Sequence, residues 1–208
     1  MLNPEQSLPL EDQWELLVEY GHGLALGFHA LWIEGDDQEV LARLFRVDPG
    51  TRVNCDAATL AGTYSGPPTT GIWVGSHAPG WTHIFAFGMP LSHPALSNLG
   101  KRRVFQMRFT GETGEGLEPL YLDYDGESVG EIYLPSEDGG YMALPEYRPF
   151  TTGLVSNEDA TLEQDVHLMW CLVGRITGRF ADHDWWTAIR SYYRIPDKAW
   201  VDRSSEGV

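Results

Sequence analysis

The amino-acid sequence predicts an α+β protein: an antiparallel sheet of about five strands, with helices from the N-terminal and C-terminal segments packed on it. Near both ends of the chain, apolar residues recur at steps of three and four, which is typical of amphipathic helices. In the middle they alternate with polar residues, and Gly, Pro and Asp separate the segments. Helices before and after a group of strands predict a sheet that is covered on one face.

The length and composition fit a single domain. A chain of 208 residues, of which 42% are hydrophobic, can bury a sizeable core. We expect residues 1–201 to form the domain and residues 202–208 to be a loose tail. No apolar stretch approaches the roughly 20 residues that a membrane-spanning helix requires, and residues 1–6 lack the features of a secretory signal. With only Cys55 and Cys171, the sequence predicts a protein of the reducing cytoplasm.

Three helices are predicted before the strands. The first spans residues 9–33 and contains glycines that favour a kink or break in its middle. The second spans residues 38–45, and one of the two aspartates before it is expected to cap it. The Asp-Pro-Gly sequence at 48–50 predicts the turn that ends this unit. A short third helix is expected near residues 56–64.

Five strands are predicted in the middle of the chain. Residues 71–75 and 82–87 are rich in β-branched and aromatic residues and flank a hairpin loop. Residues 104–109 alternate between apolar and polar positions, as a half-buried strand does. Residues 120–124 and 129–134 flank an Asp-Gly pair, which is a strong signal for a tight hairpin turn.

Two helices are predicted after the strands. The first spans residues 158–177, with Ser156 or Asn157 as its N-cap and Gly178 as the residue that ends it. The second opens at one of two nearby aspartates and runs over residues 182–193, with two adjacent tryptophans in its first turn.

The distribution of charge limits the possible partners. The formal net charge is −16, and residues 109–174 contain fourteen Asp and Glu against a single Arg. Because Lys and Arg contacts with phosphates supply most of the affinity for nucleic acids, we expect no nucleic-acid partner. An acidic surface attracts basic partners and keeps a protein soluble. The same excess of acid would also follow from an acidic proteome without any specific partner.

No catalytic or cofactor motif is present in the sequence, which contains no P-loop, G-x-S-x-G, dinucleotide-binding glycine motif or H-E-x-x-H. We therefore expect no cofactor and no metal, and lean against an enzyme. His77, His83 and His93 lack the spacing of metal ligands. Residues 123–130 resemble a fragment of a calcium loop, which a hairpin turn explains equally well. Residues 182–184 fit a helix N-cap better than an acid–base group.

Three short segments of the chain, at residues 39–49, 79–85 and 173–180, occur in an order and spacing that match a known pattern. They resemble the VLxRLGxDP segment, the GGWTLVFE strand and the closing AxxLTGVxLT helix and turn of an actinobacterial family of small acidic α+β proteins of unknown function. Phe45 stands where that family has Gly, and Pro79 where it has its first Gly. The resemblance implies a shared α+β fold and no particular reaction.

The chain is also similar in style to immunity proteins of bacterial toxin systems. That similarity implies an acidic face that steers toward a basic toxin and is anchored by Trp or Tyr side chains. The leading hypothesis is therefore a non-enzymatic protein-binding module, immunity- or antitoxin-like or a subunit of an assembly, that engages a basic protein partner. The expected partner-binding residues are Tyr121, Asp123, Tyr124, Asp125, Glu127, Glu131, Tyr133, Glu137, Asp138 and Tyr141.

An alternative hypothesis is an enzyme or small-molecule sensor with a pocket near His77, Trp81 and His83. It predicts a concave, partly apolar cavity that contains a titratable group with a shifted pKa. If these residues serve the core instead, their side chains will be packed closely together with other apolar side chains.

Overall fold

The computed structural model describes residues 7–63, 70–89, 93–111, 116–136, 144–197 and 199. Its centre is one eight-stranded antiparallel sheet with the strand order β2-β8-β3-β4-β1-β5-β6-β7. The helices are α1 (Gln13–Gly21), α2 (Gln38–Leu44), α3 (Ala57–Thr63), α4 (Arg148–Thr151), α5 (Leu162–Thr177) and α6 (His183–Thr187). The strands are β1 (Phe28–Glu34), β2 (Asp48–Cys55), β3 (Gly71–Ala78), β4 (Trp81–Phe87), β5 (Arg103–Phe109), β6 (Leu120–Tyr124), β7 (Glu127–Ile132) and β8 (Arg190–Arg194). The prediction of an α+β protein with an antiparallel sheet is confirmed, and the prediction of about five strands was wrong.

All five predicted strands are present, as β3 to β7. The turn between β6 and β7 forms at the predicted Asp-Gly pair, because Asp125 and Gly126 both adopt left-handed conformations, with φ values of 54° and 79°. Two successive left-handed residues match the right-handed twist of a tight hairpin. The central β1 pairs with β4 on one side and with β5 on the other.

Strand β1 replaces the second half of the predicted N-terminal helix. α1 ends at Gly21, a 3-10 helix covers His22–Leu26, and the chain then turns at Gly27, whose φ is 151°. A Cβ at this position would lie 3.1 Å from the carbonyl oxygen of Phe109. The first six residues of β1 are all buried, so the strand has no alternation of polarity that would distinguish it from a buried helix.

Strands β2 and β8 were also missed. The predicted turn at residues 48–50 is the start of β2, an exposed edge strand that pairs with β8 across a register shift. The last helix was predicted to continue to residue 193, but α6 ends at Thr187 and β8 follows. The predicted cap of that helix is confirmed, since the Asp182 carboxylate accepts the Trp185 backbone N–H at 2.7 Å.

Two other helix ends test the capping predictions. α2 has the expected cap, because Asp37 Oδ1 accepts the Val40 backbone N–H at 3.0 Å. α5 begins later than predicted: Thr161 and Gln164 form a reciprocal capping box, in place of Ser156 or Asn157. α5 ends at the expected glycine, Gly178, with φ 82°.

The sheet is covered on both faces, which corrects the expectation of one covered face. We call one face of the sheet the first face. Its residues, such as Phe28, Trp32 and Trp73, pack against α1, α3, α5 and α6. On the second face, residues such as Leu31 and Ile72 pack against α2 and the 3-10 helix Leu96–Asn98. No helix in the described part of the chain is long and apolar enough to cross a membrane.

Candidate functional site

A cavity of about 320 Å³ lies on the second face of the sheet, beside the β6–β7 hairpin. Leu120 and Leu122 of β6 point into the first-face core, so the alternating residues Tyr121 and Asp123 point to the opposite side. The cavity is lined by His93, Leu96, Ser97, Gln106, Tyr121, Asp123, Gly126 and Ser128.

A hydrogen-bonded chain of three side chains holds one wall of this cavity. Nε2 of His29 lies 3.0 Å from Oε1 of Gln106, and the Gln106 amide nitrogen donates to Oδ2 of Asp123. The amide nitrogen faces the carboxylate, so the amide oxygen faces His29, which therefore donates from Nε2. His29 and Gln106 are only 7% and 4% exposed, so a buried polar pair positions the Asp123 carboxylate.

Burial sets the ionisation of both ends of this chain. It lowers the pKa of His29 below its usual value, although the hydrogen bond that His29 donates to Gln106 opposes the shift, so this imidazole is neutral at neutral pH. Burial also raises the pKa of Asp123, and the Gln106 hydrogen bond opposes that shift. Within the described residues no Lys or Arg forms an ion pair with Asp123. The carboxylate is therefore partly desolvated, and it has no counter-ion among the residues that the structure describes.

Tyr121 adds a second acceptor to the cavity. Its hydroxyl donates to Oε2 of Glu118 at 3.2 Å, which leaves the phenolic oxygen able to accept a hydrogen bond. Burial and the neighbouring Glu118 carboxylate raise the pKa of Tyr121 to about 12, so the phenol stays protonated. Glu118 is itself 3.1 Å from the guanidinium of Arg108 and forms an ion pair with it.

The β6–β7 hairpin presents an acidic surface next to the cavity. β7 lies at one end of the sheet, and the exposed carboxylates of Asp125, Glu127 and Glu131 lie on it or on its turn. Large side chains lie exposed beside these carboxylates: Tyr124 is 43%, Val129 44% and Tyr133 38% accessible.

The structure places the expected partner-binding residues in two groups. Tyr121 and Asp123 are half-buried and line the cavity. The exposed members lie along the hairpin and just after it: Tyr124, Asp125, Glu127, Glu131 and Tyr133. The remaining three, Glu137, Asp138 and Tyr141, lie outside the described residues.

The residues of the alternative pocket lie in the first-face core. His77 and His83 are 1% exposed and Trp81 is 7% exposed. His83 contacts the ring of Trp185, with 4.6 Å between the ring centroids, whereas Trp81 packs against Phe105. The three side chains therefore take part in core packing.

His77 is held as a neutral imidazole. Its Nδ1 accepts the indole N–H of Trp185 at 2.8 Å, and its Nε2 lies 2.8 Å from the hydroxyl of Thr177. That hydroxyl donates to the carbonyl oxygen of Val173, so it accepts from His77. Burial, with a contribution from nearby arginines, lowers the pKa of His77 to about 3.

Arg190 completes this buried cluster. Its guanidinium carbon lies 4.2 Å from the ring centroid of Trp185 and 4.8 Å from that of Trp73, so the cation is held between two indoles. Burial lowers the pKa of Arg190 to about 9. Burial also lowers the pKa of His83, with a smaller contribution from the nearby Arg190 cation. Gly75 on the adjacent strand provides the space for this side chain.

Sequence reasoning missed the roles of His29, Gln106 and Arg190. A signal existed for Gln106, because the alternation of residues 104–109 places it opposite the apolar side of the strand. Its partners come from the strands on either side, and this pairing becomes visible only in the register of the sheet.

The described residues contain no group of three or more His, Cys, Asp or Glu side chains that could hold a metal ion. Cys55 and Cys171 are free and buried, and burial raises the pKa of the Cys171 thiol to about 12. Comparison of the chain with protein-family models, with curated proteins and with solved structures finds no match.

Proposed function

We propose that this protein is a protein-binding module whose acidic β6–β7 hairpin engages a basic protein partner, as an immunity- or antitoxin-like factor or as a subunit of an assembly. One observation carries the proposal: carboxylates and exposed aromatic side chains share an edge hairpin, and residues 109–147 contain no Lys or Arg. Carboxylates speed the encounter with a basic partner, and tyrosines provide anchors of low conformational entropy.

The position of the hairpin at a sheet edge supports the same proposal. An edge strand offers backbone donors and acceptors to an added strand, which is a common way to bind an extended peptide. Glu127 and Glu131 on β7 would repel a second copy of the same edge, because pairing would bring like charges together. The same carboxylates would attract a segment rich in Lys and Arg, so this edge favours a basic partner over self-association.

The test is a low-salt pull-down from the source organism with a tagged chain, followed by elution with salt. The hairpin variant carries Asp125→Asn, Glu127→Gln and Glu131→Gln. A matched variant carries Glu11→Gln, Glu15→Gln and Glu19→Gln, which are exposed carboxylates near and on α1. Both variants change the formal charge by the same amount, so any difference between them reports a local surface.

We expect one stoichiometric basic partner that salt releases, that the α1 variant retains and that the hairpin variant loses. Equal loss from both variants would mean that net charge alone drives the association. Capture that does not depend on ionic strength would overturn the proposal.

The alternative pocket at His77, Trp81 and His83 receives no support from the packing of these residues. Their side chains are buried among the rings of Trp73, Trp185 and Phe105, and the hydrogen bonds of His77 are used within the core. A ligand at this position would have to displace these aromatic contacts.

A further inference from the structure

The cavity beside the hairpin is built to present a carboxylate oxygen. Asp123 Oδ2 accepts the Gln106 amide, and the Gln106 oxygen accepts from His29, so the chain fixes the carboxylate from its buried side. Within the described residues no hydrogen bond occupies Oδ1 of Asp123. Because Asp123 lines the cavity, this oxygen is the acceptor that a ligand would meet.

The direction of the hydrogen bonds selects the chemistry of the ligand. Both bonds of the chain point their donors toward Asp123, so the carboxylate end can only accept. The hydroxyl proton of Tyr121 is directed at Glu118, which leaves a second acceptor on the cavity wall. These two acceptors favour a ligand that donates hydrogen bonds, and the hydroxyls of Ser97 and Ser128 in the lining can donate or accept.

The charge around the cavity favours a cation. The guanidinium of Arg108 pairs with Glu118, and His29 is neutral at neutral pH, so neither supplies a counter-ion to Asp123. Glu131 lies opposite Tyr121 in the β6–β7 ladder and adds negative charge on the same side. A partly buried carboxylate without a counter-ion gains much from a charge-assisted hydrogen bond.

The size of the cavity limits the ligand. Its volume of about 320 Å³ lies at the small end of the range for ligand pockets, ~300–1,000 Å³. One side-chain head group with its aliphatic stem fits such a space, whereas an extended cofactor does not.

We infer that this cavity receives the guanidinium or ammonium group of a single basic side chain, with Asp123 as its charged acceptor and Tyr121 as a second acceptor. The inference rests on the proposed function, because it names the part of the basic partner that the hairpin region binds. A free guanidine or amine would present the same chemistry to the cavity.

The test is a titration of the ¹⁵N-labelled full chain with N-acetyl-arginine amide, monitored by backbone amide chemical shifts. N-acetyl-citrulline amide is the matched probe, since it has nearly the same shape without the charge. Asp123→Asn removes the charge and keeps an acceptor for Gln106, whereas Glu15→Gln removes one exposed charge on the first-face helix α1, outside the cavity lining.

We expect saturable shifts at Gln106, Asp123 and Ser128 with the arginine probe, and binding about tenfold weaker for the citrulline probe and for Asp123→Asn. Glu15→Gln should retain the affinity. Equal responses to both probes, or an unchanged affinity in Asp123→Asn, would overturn the inference. Unchanged circular dichroism and a thermal unfolding temperature no lower than that of the unmodified chain would exclude misfolding of that variant as the cause of a lost response.

The pull-down separates failure of this inference from failure of the proposed function. If the partner is lost from the hairpin variant and retained by Asp123→Asn, the hairpin binds it and the cavity does not receive its side chain. If the arginine probe binds but no basic partner is captured, the cavity is a cation site whose source is a free guanidine or amine. In that case the cavity assignment stands and the binding-module proposal fails.

Discussion

The indole N–H of Trp185 donates a 2.8 Å hydrogen bond to Nδ1 of His77, which connects α6 to β3 through the first-face core. The second nitrogen of the same ring donates to Thr177 at the end of α5. One neutral histidine therefore joins the sheet to two helices. Protonation of Nδ1 would replace an acceptor by a donor and break the bond to the indole.

This relationship predicts a loss of stability in mild acid. The pKa of His77 is about 3 in the folded state and about 6.5 in the unfolded chain. The unfolded chain therefore binds a proton first as the pH falls, and the stability that is present above pH 6.5 is lost down to about pH 3. At pH 5 the contribution of His77 to that loss is about 2 kcal/mol.

Urea unfolding at pH 8 and at pH 5 measures this loss. His77→Gln should be less stable than the unmodified chain at pH 8. Between pH 8 and pH 5, its free energy of unfolding should fall by about 2 kcal/mol less than that of the unmodified chain. His183→Gln removes an exposed histidine outside the cluster and is the control. If the free energy of unfolding of His77→Gln falls between pH 8 and pH 5 by as much as that of the unmodified chain, the assignment is contradicted.

The contact between Gly75 and Arg190 predicts a specific effect on stability. A Cβ at position 75 would lie 2.5 Å from Cγ and 2.8 Å from Nε of Arg190, which two indoles hold in place. Gly75→Ala should therefore lower the free energy of unfolding by about 1–3 kcal/mol, as overpacking of a core does. Denaturant unfolding followed by tryptophan fluorescence provides the measurement.

Gly62→Ala is the matched control for that experiment. Gly62 lies exposed in α3, and an added Cβ meets nothing within 4 Å. Because alanine has the higher helix propensity, this variant should be unchanged or more stable by up to about 1 kcal/mol. Equal destabilisation by the two substitutions would show that the packing around Arg190 is not the cause.

Asp123 is expected to lower the stability of the fold at neutral pH. Burial raises its pKa, so the charged form is disfavoured in the folded state relative to the unfolded chain. The penalty is absent below the usual carboxyl pKa and develops as the pH rises through the folded value. Asp123→Asn should therefore increase the free energy of unfolding at pH 7, although it weakens binding of the arginine probe.

Urea unfolding of Asp123→Asn and the unmodified chain at pH 7 and at pH 3 tests this prediction. The difference between the two proteins should shrink at pH 3, where both side chains are neutral. A variant that is less stable than the unmodified chain at pH 7 would assign the carboxylate a structural role. That result would remove the trade-off between stability and binding that marks a functional residue.

The strands that sequence reasoning found share a local signal. β6 alternates between buried and less buried residues, and the Asp125-Gly126 turn supplies the left-handed residues that a tight hairpin needs. β1 lacks such a signal because six consecutive residues are buried, and an unbroken apolar run fits either a helix or a strand. Only two residues separate β8 from α6. The aromatic residues of β8 therefore lie at a distance along the chain from the α6 tryptophans that also fits a continuing helix.

The sequence by itself determined the α+β class, the hairpin at Asp125 and the absence of basic residues from 109–147, because these depend on neighbours along the chain or on composition. Tertiary structure alone decided that His77 and His83 belong to the core and that Asp123 lines a cavity. It also decided that His29 and Gln106, which lie 77 positions apart in the sequence, hold that carboxylate. The physical reason is that the order and register of the strands bring distant polar residues together on one face of the sheet, and no local pattern encodes that order.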